Sequence, residues 1–559
     1  MSHRLGRWMV PVSLALVTVA AFIGIFQNGF VDWDDGVNLV NNVRYRGLGW
    51  LQLRWMLTTF LLGHYIPLTW MTFGLDYLVW GTNPIGYHLT NLLLHIANVV
   101  TFYFITARLL VATRPAAKDD VAVHVGAAAA ALLFAVHPLR VESVAWATER
   151  RDVLCGLFYL LAIVSYLRAV ERAEGASLYG QRRYWASVGL FALALLSKSM
   201  AVSLPMVLLV LDVYPLRRLG GRPGGWLGPA GLRVWLEKAP FALLSLGASV
   251  VALAALGHIK GIRPFATLGW LERVSISLYS LAFYLWKMLV PLDLSAIYEL
   301  PDRIDPLAWP YLLAALVVAA VTAAAVALRR RWPAFLAVWV SYIVILLPVL
   351  GIVQNGNQIA ADRYTYLASL GWALLAGAAV RLWWVARGSR WLSQPGTLAA
   401  AGLAVVIIGG LGALTWKQVD IWRDSESLWK HAASASPSGL AHYNLGVIMV
   451  GRGEFVEAEG HFRRALEFQP RNADVHINLG GALLLHGQLQ EGIEHFRQAL
   501  AINPKDAIAH NSLGYALRQQ GRLTEAAEHF REALRLQPDY SKARRNLEQV
   551  TTAASGPAR

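Results

Sequence analysis

The sequence predicts an all-α protein in two parts, a polytopic bundle of membrane-spanning helices followed by a helical-repeat solenoid. Two observations divide the chain. Long apolar runs recur from residue 8 to about 417 and then stop. From about residue 439, glycine, alanine, phenylalanine and proline return every 34 residues. Composition supports the first part. Of 559 residues 56% are hydrophobic and 15% charged, where a soluble chain carries about a quarter charged residues. Mean hydropathy is +0.43.

The first run, about Trp8 to Phe26, has no basic residue after Arg7. Many further spans follow it and no clear small-residue cleavage site does, so it is expected to act as a signal anchor. Three acids then fall within four positions in Phe30-Val31-Asp32-Trp33-Asp34-Asp35. Trp50–Trp80 is apolar but broken by Arg54, His64, Pro67 and Asp76, and rich in Trp and Tyr. It reads as helices lying on the outer membrane surface. The remaining candidate spans are 86–110, 121–137, 153–169, 184–198, 199–215, 239–257, 275–292, 309–328, 333–353, 364–386 and 398–416.

Basic residues cluster at Arg4/Arg7, Arg108/Arg114/Lys118, Arg168/Arg172/Arg182/Arg183, Arg217/Arg218/Arg222/Arg233/Lys238, Arg329–Arg331 and Arg381/Arg387/Arg390. The positive-inside bias assigns them to the cytoplasm. Asp32–Asp35, the loop after His137 and the Lys198 turn then lie on the opposite side. With twelve crossings Arg329–Arg331 would break the bias. Eleven restore it if 275–292, with Arg273, Lys287 and Pro291 at or near it, is interfacial. The C-terminus is then outside.

In the tail, Gly446, Gly480 and Gly514 share the 34-residue period with Gly453/487/521, Phe462/496/530, Ala465/499/533 and Pro470/504/538. That register is the tetratricopeptide repeat (TPR), in which small residues let two helices approach and proline ends the second. The expected domains are 1–417 for the membrane module, 418–438 for a linker and partial repeat helix, 439–549 for three repeats plus a capping helix, and 550–559 for a disordered tail. Asn444 and Asn478 occupy equivalent positions on the first helices. They read either as clamps for an acceptor peptide or as ordinary surface asparagines.

The single cysteine, Cys155, excludes an intrachain disulfide and a cysteine metal cluster. The net charge of +15 is spread over short loops, which points to membrane lipid rather than nucleic acid. No phosphate-cradling glycine loop is present, so a nucleotide is not the expected substrate. Charged residues at membrane edges are costly and mark function. The densest segment is His137–Asp152, with Arg140, Glu142, Glu149, Arg150 and Arg151. Its arginines suit a phosphate, or the segment is a salt-bridged loop. Lys198 suits a lipid phosphate or snorkels to the interface. Asp362-Arg363-Tyr364 begins another span. His64, His88 and His95 add polar groups; a divalent metal stays open, though no spacing demands one.

These stretches resemble the polytopic glycosyltransferases of the GT-C superfamily. The resemblance is closest to the transmembrane-and-TPR, O-mannosyltransferase-like branch. It is carried by Asp34-Asp35, Gly86–His95, His137–Leu154, Lys198-Ser199-Met200 with Pro205, and Ala361–Tyr366, in family order over nearly the whole chain. The resemblance implies an inverting transferase using a polyprenyl-phosphate-linked sugar and a protein acceptor. It implies an extracytoplasmic active site and repeats, in a bacterial inner membrane. One of Asp34 and Asp35 is the implied general base. Lys198, Arg150 and Arg151 are the candidates for the leaving phosphate. His88, His95, His137, Arg140, Glu142, Glu149, Asp362, Arg363 and Tyr364 complete the expected substrate site. Two other classes compete: a non-enzymatic membrane scaffold, and a transporter, whose charges would lie mid-span rather than at span ends.

Overall fold

A computed structural model describes residues 2–113, 121–173, 176–219, 225–259, 264–265, 267–301, 303–353, 356–387 and 395–554. Arg114, Lys118, Arg222, Arg390, the pair Gln354-Asn355 and residues 555–559 lie outside them, as do the side chains of Arg4, Arg7 and Arg387. The chain divides into two compact units. One comprises residues 1–296 and 303–428, the other residues 297–302 and 429–559.

The first unit is helical. Among the described residues six segments are long and apolar enough to cross a membrane: Trp8–Gln27, Pro84–Thr113, Ala147–Ala173, Pro229–His258, Trp309–Ala327 and Ala399–Ile421. Two bent pairs raise the number to eight. They are Val121–Ala135 with Pro138–Ala145 (60°) and Asp362–Ala368 with Leu370–Ala386 (52°). Length and composition thus pick out six to eight of the eleven or twelve expected crossings among the described residues. The segments read at 184–198, 199–215 and 333–353 centre on helices Arg182–Ser197, Leu204–Val213 and Pro333–Leu346, of 16, 10 and 14 residues. With their flanking turns the last two run over Ser199–Val213 and Pro333–Val349, short beside the ~20 residues of a typical span. Helix Trp270–Leu289 has the length but carries Glu272, Arg273 and Lys287. Burial separates core from periphery: the span Ala147–Ala173 is 67% buried in protein, Ala399–Ile421 only 6%. The central helix is thus the one that begins at the charged segment.

Between the first two spans the Trp-rich stretch forms helices Trp50–Thr58 and Pro67–Trp80. Met56, Ile66, Trp70 and Phe73 pack with Leu39, Tyr45 and Tyr87, while Trp50, Leu51, Leu75, Leu78 and Val79 stay exposed. Apolar side chains on both faces suit a helix pair between a protein core and lipid.

The second unit is the repeat array. Its helix pairs are Gly439–Arg452 with Phe455–Phe468, Ala473–Leu485 with Leu489–Ile502, and Ala507–Gln519 with Leu523–Leu536, closed by Ser541–Ala554. A Cβ on Gly480 would sit 2.8 Å from the Phe496 ring, and one on Gly514 2.8 Å from Phe530. Gly453, Gly487 and Gly521 turn between the helices at φ +81°, +88° and +79°, where other residues are strained. Two boundaries are corrected. The closing helix runs to Ala554, through the start of the expected disordered tail. Residues 297–302, assigned by sequence to the membrane module, belong to the array. There Glu299 accepts the Gly439 N–H at 2.7 Å and a hydrogen bond from Gln469.

Candidate functional site

The site grows from the loop after the first span. Its backbone is pinned to the segment after the last span: Gly29 N–H donates to Arg423 O at 2.8 Å, and Asp32 N–H to Ser425 Oγ at 2.7 Å. Trp33 packs edge-on against Trp146, which stacks on Trp422. The loop is thereby held against the turn Ala147–Glu149 that opens the central helix.

The two adjacent aspartates have different environments. Asp35 is fully buried. Its Oδ1 accepts from Thr148 N–H at 3.0 Å and Thr148 Oγ1 at 2.5 Å, and its Oδ2 from Val31 N–H at 3.1 Å. Burial nevertheless raises its carboxyl to about 6. The Asp34 side chain is 24% exposed, 3.9 Å from Arg151. Burial raises its carboxyl too, against the pull of the Arg151 guanidinium. Asp35 staples the loop, and Asp34 is the more accessible member of the pair.

Behind Asp34 stands an ion network centred on Glu149. This fully buried carboxylate receives Arg151, Lys198 at 3.1 Å and Arg363 at 3.4 Å. Lys198 also meets Asp152 at 2.6 Å, and Arg363 pairs with Glu142. Four acids (Asp34, Glu142, Glu149, Asp152) thus face three cations (Arg151, Lys198, Arg363). A second buried network differs: Asp212 and Glu237 are matched one for one by Arg218 and Lys238, with Tyr166 donating to Asp212. A balanced network is a staple. In the first network Asp34 is the most exposed of the four acids and lies at the accessible edge.

Lys198 Nζ lies 6.0 Å from the centre of the Tyr364 ring, and the Arg363 guanidinium 5.1 Å from it. Acids around Lys198 hold its ammonium above the ordinary range despite burial. Asp362 is buried at the start of this same turn.

The structure takes other expected site residues out of this group. Arg150 is fully buried, bound to Asp76 at 2.5 Å, Asn91 Oδ1 at 2.8 Å and Tyr87 O at 2.8 Å. Its expected place on a phosphate is corrected to a core staple. Arg140 holds Thr365 through O and Oγ1 at 3.0 and 2.9 Å. His88 meets Gly29 O, His95 meets Ala135 O and Tyr366 OH, and His137 meets Met288 O. These rings brace the backbone. Among the described residues no group of three or more His, Cys, Asp or Glu side chains is arranged to hold a metal. In the array, Asn444 donates to Leu440 O at 2.9 Å on its own helix, and Asn478 to Asp474 O at 2.9 Å and Tyr443 OH at 3.2 Å.

Sequence reasoning missed the roles of Thr148, Asp152 and Asp76. Thr148 lies 113 positions from Asp35, and nothing in either residue's neighbourhood announces the pairing. Also unassigned was His64, held neutral by burial and by Arg151, with its imidazole lowered to about 3. Its turn contains Leu62 at φ +50° and Gly63 at φ +74°.

Comparison with known proteins agrees with this division. The tetratricopeptide repeat model matches residues 443–507 and 477–541. Protein O-mannosyl-transferase TMTC1 of Homo sapiens is 25% identical over 73% of this chain and 48% of its own length. TMTC4 of Homo sapiens is 27% identical over 70% and 56%, and Tmtc1 of Drosophila melanogaster 26% over 74% and 55%. The chain is therefore similar to the transmembrane-and-TPR O-mannosyltransferase-like proteins. The chain spans about half the length of these curated relatives. Among solved structures, the Arabidopsis OM64 TPR domain is 23% identical, covering 20% of this chain and 93% of that domain at a TM-score of 0.20.

Proposed function

We propose that the chain is a membrane glycosyltransferase. It moves mannose or another hexose from a polyprenyl-phosphate donor to Ser or Thr hydroxyls of an exported protein, at the extracytoplasmic face of a bacterial inner membrane. The observation that carries this reading is the split between the two aspartates: Asp35 is saturated, while Asp34 is accessible beside Arg151. Asp34 takes the proton of the acceptor hydroxyl as that oxygen attacks the anomeric carbon. The new C–O bond forms as the bond to phosphate breaks, and its electron pair leaves on the phosphate oxygen. Attack opposite the leaving group inverts the anomeric centre. Arg151, Lys198 and Arg363 are the cations that meet the departing phosphate. The repeats recruit the acceptor.

The raised Asp34 carboxyl suits a base, because catalytic groups work best with values moved toward the operating pH. Asp34→Asn is expected to lower kcat/KM for a lipid-linked sugar by ~10²–10⁴-fold, with the melting profile unchanged. In the wild type, activity should fall on the acid side at a pH above 3.8, the ordinary carboxyl value from which Asp34 is raised. Full transfer by Asp34→Asn removes Asp34 as the base; absence of transfer by the wild type leaves a scaffold that presents partners.

A further inference from the structure

The array repeats a feature that the 34-residue signature does not require. His442, His476 and His510 on the first helices face His461, His495 and His529 on the second, one pair per repeat. The Nδ1–Nδ1 distances are 3.2, 3.0 and 3.0 Å. The ring centroids are 5.4, 5.3 and 5.2 Å apart, nearly the greatest separation those N–N distances allow. Centroid, Nδ1, Nδ1 and centroid therefore lie almost on one line, each nitrogen aimed at the other.

That alignment decides what lies between them. A metal bound by both rings needs their lone pairs to converge on a point about 2.0–2.1 Å from each nitrogen, at roughly the tetrahedral angle. Head-on nitrogens instead form one N–H···N hydrogen bond. In two repeats the tautomer is fixed: His476 Nε2 meets Pro470 O at 3.3 Å and His510 Nε2 meets Pro504 O at 3.1 Å. A carbonyl only accepts, so each Nε2 carries a proton and each neutral ring offers a bare Nδ1. His495 and His529 must donate.

We propose that each pair is a proton-binding lock between the two helices of its repeat, accepting one added proton and opening when a second arrives. The first goes to Nε2 of the donor ring and leaves a charge-assisted bond across the gap. The second has only the acceptor Nδ1 to occupy, where two N–H groups then collide. Burial, together with the facing imidazole, holds His442, His495 and His529 below the ordinary range. Burial and Arg464 do the same to His461. The other charged groups are mixed. Arg464 and Glu467 face His442, and Glu457, Arg464 and Lys430 face His461. Glu491, Arg463 and the Gln498 amide face His495; Glu528, Glu525 and Arg497 face His529; Glu532 lies toward His510 and His529. A folded-state value below that of the free imidazole means that the folded array binds fewer protons than the unfolded chain. Its stability is full above about pH 6.5 and is lost as pH falls through the lowered values.

Hydrogen exchange of the full-length protein in detergent, corrected for the intrinsic pH dependence of exchange, tests this. Between pH 7.5 and 5, protection in 439–536 should fall by about tenfold or more, the loss that follows when folding weakens proton binding about tenfold. A triple variant, His461→Gln, His495→Gln and His529→Gln, keeps a donor toward each facing Nδ1 but cannot be charged. It should retain its protection at pH 5. If the triple variant does not fold, His495→Gln alone should retain protection over 473–502. Protection independent of pH in the wild type, or equal acid loss in the glutamine variants, overturns the proposal. So does one zinc ion bound per repeat at pH 7.5 with increased protection.

Discussion

The charge network at the head of the central helix and the repeat array are built from opposite kinds of contact. In the network, Asp35 meets Thr148 across 113 positions, Lys198 meets Glu149 across 49, and Glu142 meets Arg363 across 221. In the array, Gly446, Gly480 and Gly514 each meet a phenylalanine 16 positions on, and His442, His476 and His510 each meet a histidine 19 positions on. The network is one cooperative object in which the loss of a member strands the others. The array is a sum of near-identical units joined to their neighbours. The same size of perturbation should therefore spread in one region and stay local in the other.

Glu149→Ala is expected to have the largest effect on stability. It strips a fully buried carboxylate from Arg151, Lys198 and Arg363. Breaking a buried pair costs about 3–5 kcal/mol because the partner charge remains buried. The thermal transition of the membrane unit should drop sharply while the array keeps its exchange protection. An unchanged membrane-unit transition would mean that water already solvates these cations.

Asp35→Asn asks whether the loop staple carries a charge. The Asp35 carboxyl is raised from 3.8 to about 6, so the folded state holds its proton longer than the unfolded chain. Its contribution is therefore fully present below 3.8 and is lost as pH rises through about 6, with a span of roughly 3 kcal/mol. Between pH 5 and 8 the melting temperature of the wild type should fall relative to that of Asp35→Asn. Parallel profiles would show that the Thr148 and Val31 hydrogen bonds cancel the cost of burial.

How much of each region was legible follows from the same contrast. The repeats were readable because the physical reasons for Gly446, Phe462 and Pro470 lie within one period. The order of most helices was readable because apolar length is a local property. The roles of Arg150 and Arg151 were not. Adjacent and chemically identical, they point to different partners, Asp76 and Glu149, and only tertiary packing separates them. Asp34 and Asp35 split in the same way. The lengths of the helices were less legible for a related reason: Arg182–Ser197 and Pro333–Leu346 read as full spans by composition but are 16 and 14 residues long.

Gly480→Ala probes a close approach between the two helices of the central repeat. The added methyl would sit 2.8 Å from the Phe496 ring and 2.9 Å from Gly492 O. Overpacking of this kind costs ~1–3 kcal/mol. Exchange should accelerate in Ala473–Leu485 and Leu489–Ile502 and fade in the outer repeats. A uniform loss across all three repeats would show the array to be as cooperative as the network.

Arg463→Ala should have the smallest effect, and it isolates what burial contributes to the network. Arg463 bridges Glu459 at 2.9 Å on its own helix and Glu491 at 2.5 Å in the next repeat. On paper this arginine joins two carboxylates as Arg363 does. The Arg363 side chain, however, is 9% exposed and Arg463 46%. Water and salt screen the exposed pairs, and holding three long side chains in one geometry costs rotamer freedom. The expected loss is about 0–1 kcal/mol, shrinking further in high salt as the Debye length contracts. Melting of the array at low and high ionic strength measures it. A loss comparable to that of Glu149→Ala would mean that geometry, rather than removal from water, sets the strength of ion pairs in this protein.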